Sequence, residues 1–225
     1  NYLSVFGRSL WLAVLTTLLT LLIGYPFAYF TAGLPPKKRS LALMLVIVPF
    51  WTNSLVRIYG WMILLRGQGV VNSLLAALGL IDAPLKLLYN FGAVLVGMVY
   101  ALIPFMILSV YNAVAKLDPA LIEAARDLGA GRWRAFWTIT VPMTRAGIMA
   151  GCVLVFIPSI GLFFISDLLG GSKTMLLGNL IRDELLTARN WPLGAALSVV
   201  MMAATLLVIG GYRRLSGEKS LEGIV

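Results

Sequence analysis

The sequence predicts an all-α, polytopic membrane protein, and three observations carry that prediction. Apolar residues make up 60% of the 225-residue chain and charged residues only 12%. Soluble domains run at about half apolar and about a quarter charged, so this much apolar surface cannot be hidden inside one water-soluble domain. The apolar residues fall in five long runs that are continuous and not alternating, which favours helices over barrel strands. The 18 Lys and Arg residues are shared unevenly between the two sides that five spans define, as expected when basic loops stay cytoplasmic.

A bilayer core of about 30 Å needs about 20 mostly apolar helical residues. The first such run lies between Arg8 and Lys37, and the second begins after Arg39 and continues to Leu65, interrupted only by Arg57. The third lies between Lys86 and Lys116, the fourth between Arg145 and Asp167, and the fifth between Arg189 and Arg213. If "PPKKR" after the first span is cytoplasmic, that side carries eleven basic residues: Lys37, Lys38, Arg39, Lys116, Arg126, Arg132, Arg134, Arg145, Arg213, Arg214 and Lys219. The other side carries seven: Arg8, Arg57, Arg66, Lys86, Lys173, Arg182 and Arg189. The C-terminus is then cytoplasmic and Asn1 lies outside. The chain starts without methionine, so residues are expected to precede Asn1, and a further span among them would bring the true N-terminus inside.

The outer loops carry apolar patterns of their own. "VVNSLLAALG" puts Val71, Leu74, Leu75 and Leu78 on one helical face and ends at Gly79, a natural helix stop. "MLLGNLIRDELLTARNW" offers a second amphipathic segment before the last span. Either segment rests on its own bundle, lies in the interface or docks a partner. Within the spans, Pro104 and Pro158 are expected to kink their helices, and Gly147-x-x-x-Gly151 suits close helix packing.

Composition excludes several functions. The net charge of +9 is explained by basic cytoplasmic loops, and no nucleic-acid motif accompanies it, so no nucleic-acid partner is expected. Cys152 is the only cysteine and no histidine is present, which removes an internal disulfide, His-based metal sites and Ser-His-Asp triads. No metal site and no catalytic residue is expected in this chain. It also lacks G-x-x-x-x-G-K-[ST], so ATP has no ordinary phosphate loop here.

The most charged stretch is "EAARDLGAGRWRAFWTITVP", Glu123 to Pro142. Asp118-Pro119 reads as a helix start, with Asp as N-cap and Pro at the first helical position. A short helix through Leu121, Ile122, Ala124, Ala125 and Leu128 closes at Gly129. After Gly131 a second helix is expected, with Trp133, Phe136, Trp137 and Thr140 sharing a face. Trp133 and Trp137 at the headgroup level account for the aromatics, but not for an Asp-Pro-capped alanine helix and its glycine break. The small Ala124 and Ala125 allow close approach by another surface, and Glu123, Arg126 and Asp127 supply polar anchors.

Glu123-Ala124-Ala125, three residues, Gly129, nine residues, Ile139, one residue and Val141-Pro142 resembles the EAA loop of ABC importer permeases, with Val141 where that family has Leu. "VPFWTNSLVRIYGW" (48–61) and "ISDLLGG" (165–171) are similar to the spermidine/putrescine importer permeases, and "GLFFISDLLGG" is nearer the spermidine-preferring branch. The resemblance covers essentially the whole chain. It implies the type I ABC importer transmembrane fold: one permease domain over residues 1–225, a cytoplasmic coupling loop at 116–145, five spans present and a sixth before Asn1. It implies a multi-pass protein of the bacterial inner membrane that pairs with a second, related permease, two ATPase subunits and a periplasmic polyamine-binding protein. ATP and Mg would be bound by the ATPase subunits, and this chain would bind no cofactor. In the family the short helix of the loop enters a cleft of the ATPase, which assigns Glu123, Ala124, Ala125, Arg126, Asp127 and Gly129 to coupling.

A polycation needs carboxylates and aromatic faces along its route. Asp167, at the end of the fourth span after Phe163, Phe164 and Ser166, is the sharpest candidate, since ionisable residues at membrane depth are functional suspects. Arg57 is expected near the same outer level; it pairs with Asp167, snorkels to the headgroups, or gates the route by competing with substrate for Asp167. Trp51, Tyr59, Tyr100 and Phe105 line the route by cation–π contact or pack the bundle. Asp183 and Glu184 receive substrate, anchor the binding protein or form a solvated helix face. The mechanism expected is alternating access, with the loop transmitting ATPase closure to the spans. The rivals are a permease for putrescine alone or another small solute, an ion-coupled secondary transporter, for which broken spans and an intramembrane acid cluster would speak, and a membrane-embedded enzyme, which scattered acids and absent histidine disfavour.

Overall fold

The computed structural model describes residues 2–171 and 174–216, with the side chains of 3–171 and 174–211. Asn1, Lys173 and Lys219, and the side chains of Arg213 and Arg214, therefore lie outside the described residues. All regular structure among them is helical. Helix α1 (Tyr2–Ala32) is apolar enough to cross a membrane, and at 1.5 Å per residue it exceeds the roughly 30 Å hydrocarbon core. Its buried stripe holds small polar residues, Ser9, Thr16, Thr17 and Thr20. The Thr17 and Thr20 hydroxyls donate back to the Ala13 and Thr16 carbonyls at 2.7 and 2.8 Å. Ser9, Thr17 and Thr20 thus satisfy themselves within the helix, the buried Thr16 hydroxyl has no partner among the described residues, and all four are small enough to let neighbours approach closely.

The expected second span is not continuous. Helix α2 (Pro36–Ile47) passes into a 3₁₀ turn at Val48–Trp51, and α3 (Ser54–Leu64) leaves at 96° to it. The break has local causes. Pro49 withholds an N–H, and Thr52 turns extended with its hydroxyl donating to the Pro49 carbonyl at 2.7 Å. Asn53 then caps the new helix by accepting from the Leu55 N–H at 2.8 Å. Helix α4 (Val70–Ala77) follows, and Gly79 stops the segment at φ +67°.

Of the expected apolar face of α4, Val71 and Leu75 are half-buried and Leu74 and Leu78 exposed, while the fully buried residue is Asn72. The Asn72 amide donates to the Arg66 and Leu85 carbonyls and accepts from the Leu85 N–H, at 2.9–3.2 Å. A buried amide with three partners outranks apolar periodicity in choosing the inward face.

Helix α5 (Phe91–Ala115) is the most buried of the crossing helices. The charged loop holds α6 (Pro119–Asp127), α7 (Arg132–Ala135), a π-helical turn at Phe136–Thr140 and α8 (Val141–Met143). Helix α9 (Arg145–Gly161) leaves this run at a 65° elbow centred on Thr144. Leu162 ends α9, so the fourth run is also interrupted; α10 (Phe163–Ile165) and a π turn at Ser166–Gly170 carry Asp167. Helix α11 (Leu177–Arg182), a π turn at Asp183–Thr187 and the long α12 (Trp191–Ser216) complete the chain. Among the described residues, three helices are long and apolar enough to span alone, and counting each bent pair as one span gives five.

Helices α1, α5 and α9 pack on one another as the central bundle. Toward one end, Leu12, Ile58, Val94, Met98, Ile165, Leu169 and Leu176 form a core that joins α1 and α5 to the outer segments. Toward the other, Tyr25, Met106, Ile107, Val110 and Val155 form the inner core. Tyr29, late in α1, sets its ring edge-on to Phe136 at 5.6 Å, which puts the Glu123 loop at the same end as "PPKKR". Ser9, early in α1, accepts from the Leu177 N–H at 2.8 Å and fixes α11 at the opposite end.

Candidate functional site

The charged loop forms the first candidate surface. The Asp118 carboxylate caps α6 by accepting from the Ala120 N–H at 2.9 Å, and Pro119 opens the helix. At the other end the Gly129 N–H donates to Arg126 and the Ala130 N–H to Ala125, both at 2.9 Å. This paired closure requires the left-handed φ of +83° that Gly129 adopts. The helix is therefore held by its own ends. Glu123, Ala124, Arg126, Asp127 and Leu128 are exposed and Ala125 is half-buried, so the alanine face and its polar anchors are offered outward.

The aromatic face behind α6 differs from expectation. Trp133 and Trp137 are exposed, whereas Phe136 is half-buried and Thr140 is 1% exposed. The π turn widens the helix and splits the four residues into two faces. Phe136 turns inward, where Tyr25 and Tyr29 meet it edge-on at 5.7 and 5.6 Å. Nearby, the buried Thr144 hydroxyl lies 2.8 Å from the Thr140 carbonyl and 3.0 Å from the Tyr25 hydroxyl. The loop, its elbow and the first span thus share one contact.

At the opposite end stands a second constellation. The expected pairing of Arg57 with Asp167 does not occur. Arg57 lies over Phe50, 4.5 Å from the ring centroid, and faces Tyr100 at 5.8 Å; its buried Nε has no hydrogen-bond partner. Phe105 braces Phe50 edge-on at 5.4 Å and Trp61 braces Tyr100 at 5.5 Å. Two of the four predicted aromatics, Tyr100 and Phe105, thus join the Arg57 cluster, while Trp51 and Tyr59 remain exposed apart from it. Arg57 and Asp167 are held in separate clusters even though α3 packs the neighbouring Ile58 against Ile165 and Leu169 at the end of the fourth run.

Asp167 instead pairs with Arg182 through its Oδ2. Its Oδ1 accepts from the Asn179 amide at 2.5 Å, and the same amide donates to the Phe163 carbonyl at 3.2 Å. Asn179 is itself 4% exposed and accepts from the Leu176 N–H at 3.1 Å. Arg182 also donates to Asp183 Oδ1 from Nη2 at 2.8 Å and Nε at 3.0 Å, and lies 5.2 Å from the Phe163 ring centroid. The Asp183 hydrogen bond, aided by Asp167 and opposed by burial, raises the guanidinium pKa above its ordinary value, so Arg182 remains a cation. Asp183 is therefore engaged within the chain, while Glu184 in the same turn makes no ion pair among the described residues. Arg182, Asn179, Phe163 and Phe50 were not singled out from sequence. The one signal for Arg182 was its position on the outer side, fifteen residues after Asp167.

Residues 23–217 match the family described as the binding-protein-dependent transport system inner membrane component. The chain is 48% identical over 221 residues to the spermidine/putrescine transport system permease protein PotB of Escherichia coli (strain K12), covering 97% of this chain and 80% of that protein. It is 47% identical over 213 residues to PotB of Haemophilus influenzae, covering 95% and 74%. Among solved structures, a bacterial alginate ABC transporter in complex with an alginate pentasaccharide-bound periplasmic protein shares the fold at a TM-score of 0.80. That likeness has 19% identity and covers 98% of this chain and 80% of the other. The span breaks, which alone would have spoken for a secondary transporter, are thus part of an importer fold. The chain belongs to the family of binding-protein-dependent transport system inner membrane components, the permease subunits of ABC importers.

Proposed function

We propose that this chain is the permease of an ATP-driven polyamine importer, working by alternating access with a second permease, two ATPase subunits and a periplasmic polyamine-binding protein. The observation that carries the coupling half is α6, an exposed helix capped at both ends by its own side chain and backbone. Its Glu123, Ala124, Ala125, Arg126, Asp127 and Gly129 receive the motion of the ATPase, which supplies the bound ATP and Mg. Support for the substrate is the likeness, at 47–48% identity over 95–97% of this chain, to two PotB proteins named for spermidine and putrescine transport. Two separate clusters suit such a cargo, because each already holds a cation: Phe50 and Tyr100 hold Arg57, and Asp167 and Phe163 hold Arg182. Trp51 and Tyr59 face outward toward the second permease, and Glu184 faces the binding protein.

The test is uptake. The chain and the subunits encoded beside it are expressed in cells deprived of their own polyamine importers, and radiolabelled spermidine and putrescine are followed. ATP-dependent accumulation of spermidine is the expected result. Accumulation of neither, with the complex assembled, excludes the polyamine reading.

A further inference from the structure

Every feature that would bind an ammonium group at Asp167 is already satisfied by the chain itself. The Asp167 carboxylate, held from its other side by the Asn179 amide, and the face of the Phe163 ring converge on one place, and the Arg182 guanidinium fills it. Asp167 does not depend on Arg182 for its orientation, because Asn179 holds its other oxygen and is anchored in turn to Leu176 and Phe163. Arg182 does not depend on Asp167 alone either, since two of its nitrogens bind Asp183. The side chains of Asp167, Arg182 and Asp183 are 31–37% exposed on this chain, so the pair is not sealed within it. Beside it, between α11 and α12, runs an open, mostly apolar groove of about 600 Å³ lined by Phe163, Gly178, Ile181, Leu185 and Met201, with Arg182 its only charged residue.

We propose that Arg182 is a tethered stand-in for the transported cation, and that a linear aliphatic polyamine displaces it from Asp167. The proposal rests on the polyamine reading above. One terminal ammonium takes the place of the guanidinium between Asp167 and the Phe163 ring. The methylene chain lies along the apolar groove, and Arg182 retreats onto Asp183. Because the guanidinium keeps two hydrogen bonds after leaving, its displacement avoids the cost of a stranded buried charge. An empty transporter with a bare Asp167 would attract any small cation; a tethered competitor restricts the site to ligands that also fill the groove. Arg182 is thus a specificity-determining residue, which a purely structural ion pair would not be.

The experiment is equilibrium binding of radiolabelled spermidine to the purified, assembled permease–ATPase complex in nanodiscs, with no binding protein present. Arg182→Gln removes the competitor and is expected to tighten spermidine binding several-fold and to admit monoamines of similar length. Arg182→Lys keeps a tethered cation and is expected to restore near-native affinity. Asp167→Asn weakens binding and cancels the gain from Arg182→Gln in the double variant. Unchanged or weaker spermidine binding by an assembled Arg182→Gln complex overturns the proposal. If that variant does not assemble, Phe163→Leu decides: it weakens binding if the ring holds the ammonium, and unchanged affinity overturns the proposal. The polyamine reading is judged separately by uptake through the unaltered complex, which can succeed while the Arg182 proposal fails.

Discussion

Gly129 shows how one residue's backbone governs the candidate handle. A Cβ there would meet nothing within 4 Å, so crowding is not what selects glycine; the φ of +83° is. A branched side chain in that conformation costs about 1–2 kcal/mol, whereas Asn visits it more readily. Gly129→Val is expected to cut transport per ATP hydrolysed, with Gly129→Asn retaining most of it, measured as uptake and ATPase rate on the same proteoliposomes. Equal coupling in both variants would remove the handle role. This much was legible in the sequence, because capping and glycine closure are local chemistry. The partner of Asp167 was not legible. Arg57 and Arg182 both fall on the outer side, and choosing between them depends on packing between elements that no spacing reports.

The elements repeat that division between local and non-local information. The existence of α1, α5, α6 and α12 followed from apolar runs and caps, although α1 starts before Arg8 and α12 runs past Arg213, while the insides of α2–α3 and α9–α10 did not follow. Pro49 and Asn53 are ordinary in a run read as one span, yet together they end one helix and begin another. Packing between elements was partly legible. A Cβ at Gly147 would lie 2.4 Å from the Ala113 Cβ and 2.8 Å from the Ser109 carbonyl oxygen, so α5 and α9 approach backbone to backbone there. Gly147→Val is expected to destabilise the bundle by about 1–3 kcal/mol and to lower the yield of assembled complex in the membrane. Gly7→Ala, which meets nothing within 4 Å, should leave the yield unchanged. Similar losses for both would mean that close packing is not the reason for glycine at 147.

For the whole molecule, the decisive surfaces are those the chain leaves uncovered. Only 6% of the spanning window of α12 is buried, against 50% for α5, so α12 faces lipid or another subunit along nearly its whole length. The exposed α6 is the second such surface. With Cys152 replaced by Ser, a single cysteine at Ala124 is expected to cross-link to the ATPase subunit, while one at Trp51, whose neighbour Phe50 packs at the middle of α5, should not. Cross-linking measured by gel shift in the assembled complex checks the arrangement. A product from Trp51 and none from Ala124 would invert it.

The Tyr25–Thr144 hydroxyl pair has a consequence for how a stroke is transmitted. On the proposed coupling role, the 65° elbow would make the loop and α9 the two arms of a bell crank, with Thr144 as its fulcrum and Tyr25 as the pin that ties the fulcrum to the first span. Tyr25→Phe keeps the ring against Phe136 and removes the pin alone. The crank then slips: nucleotide turnover continues, and less cargo moves for each cycle.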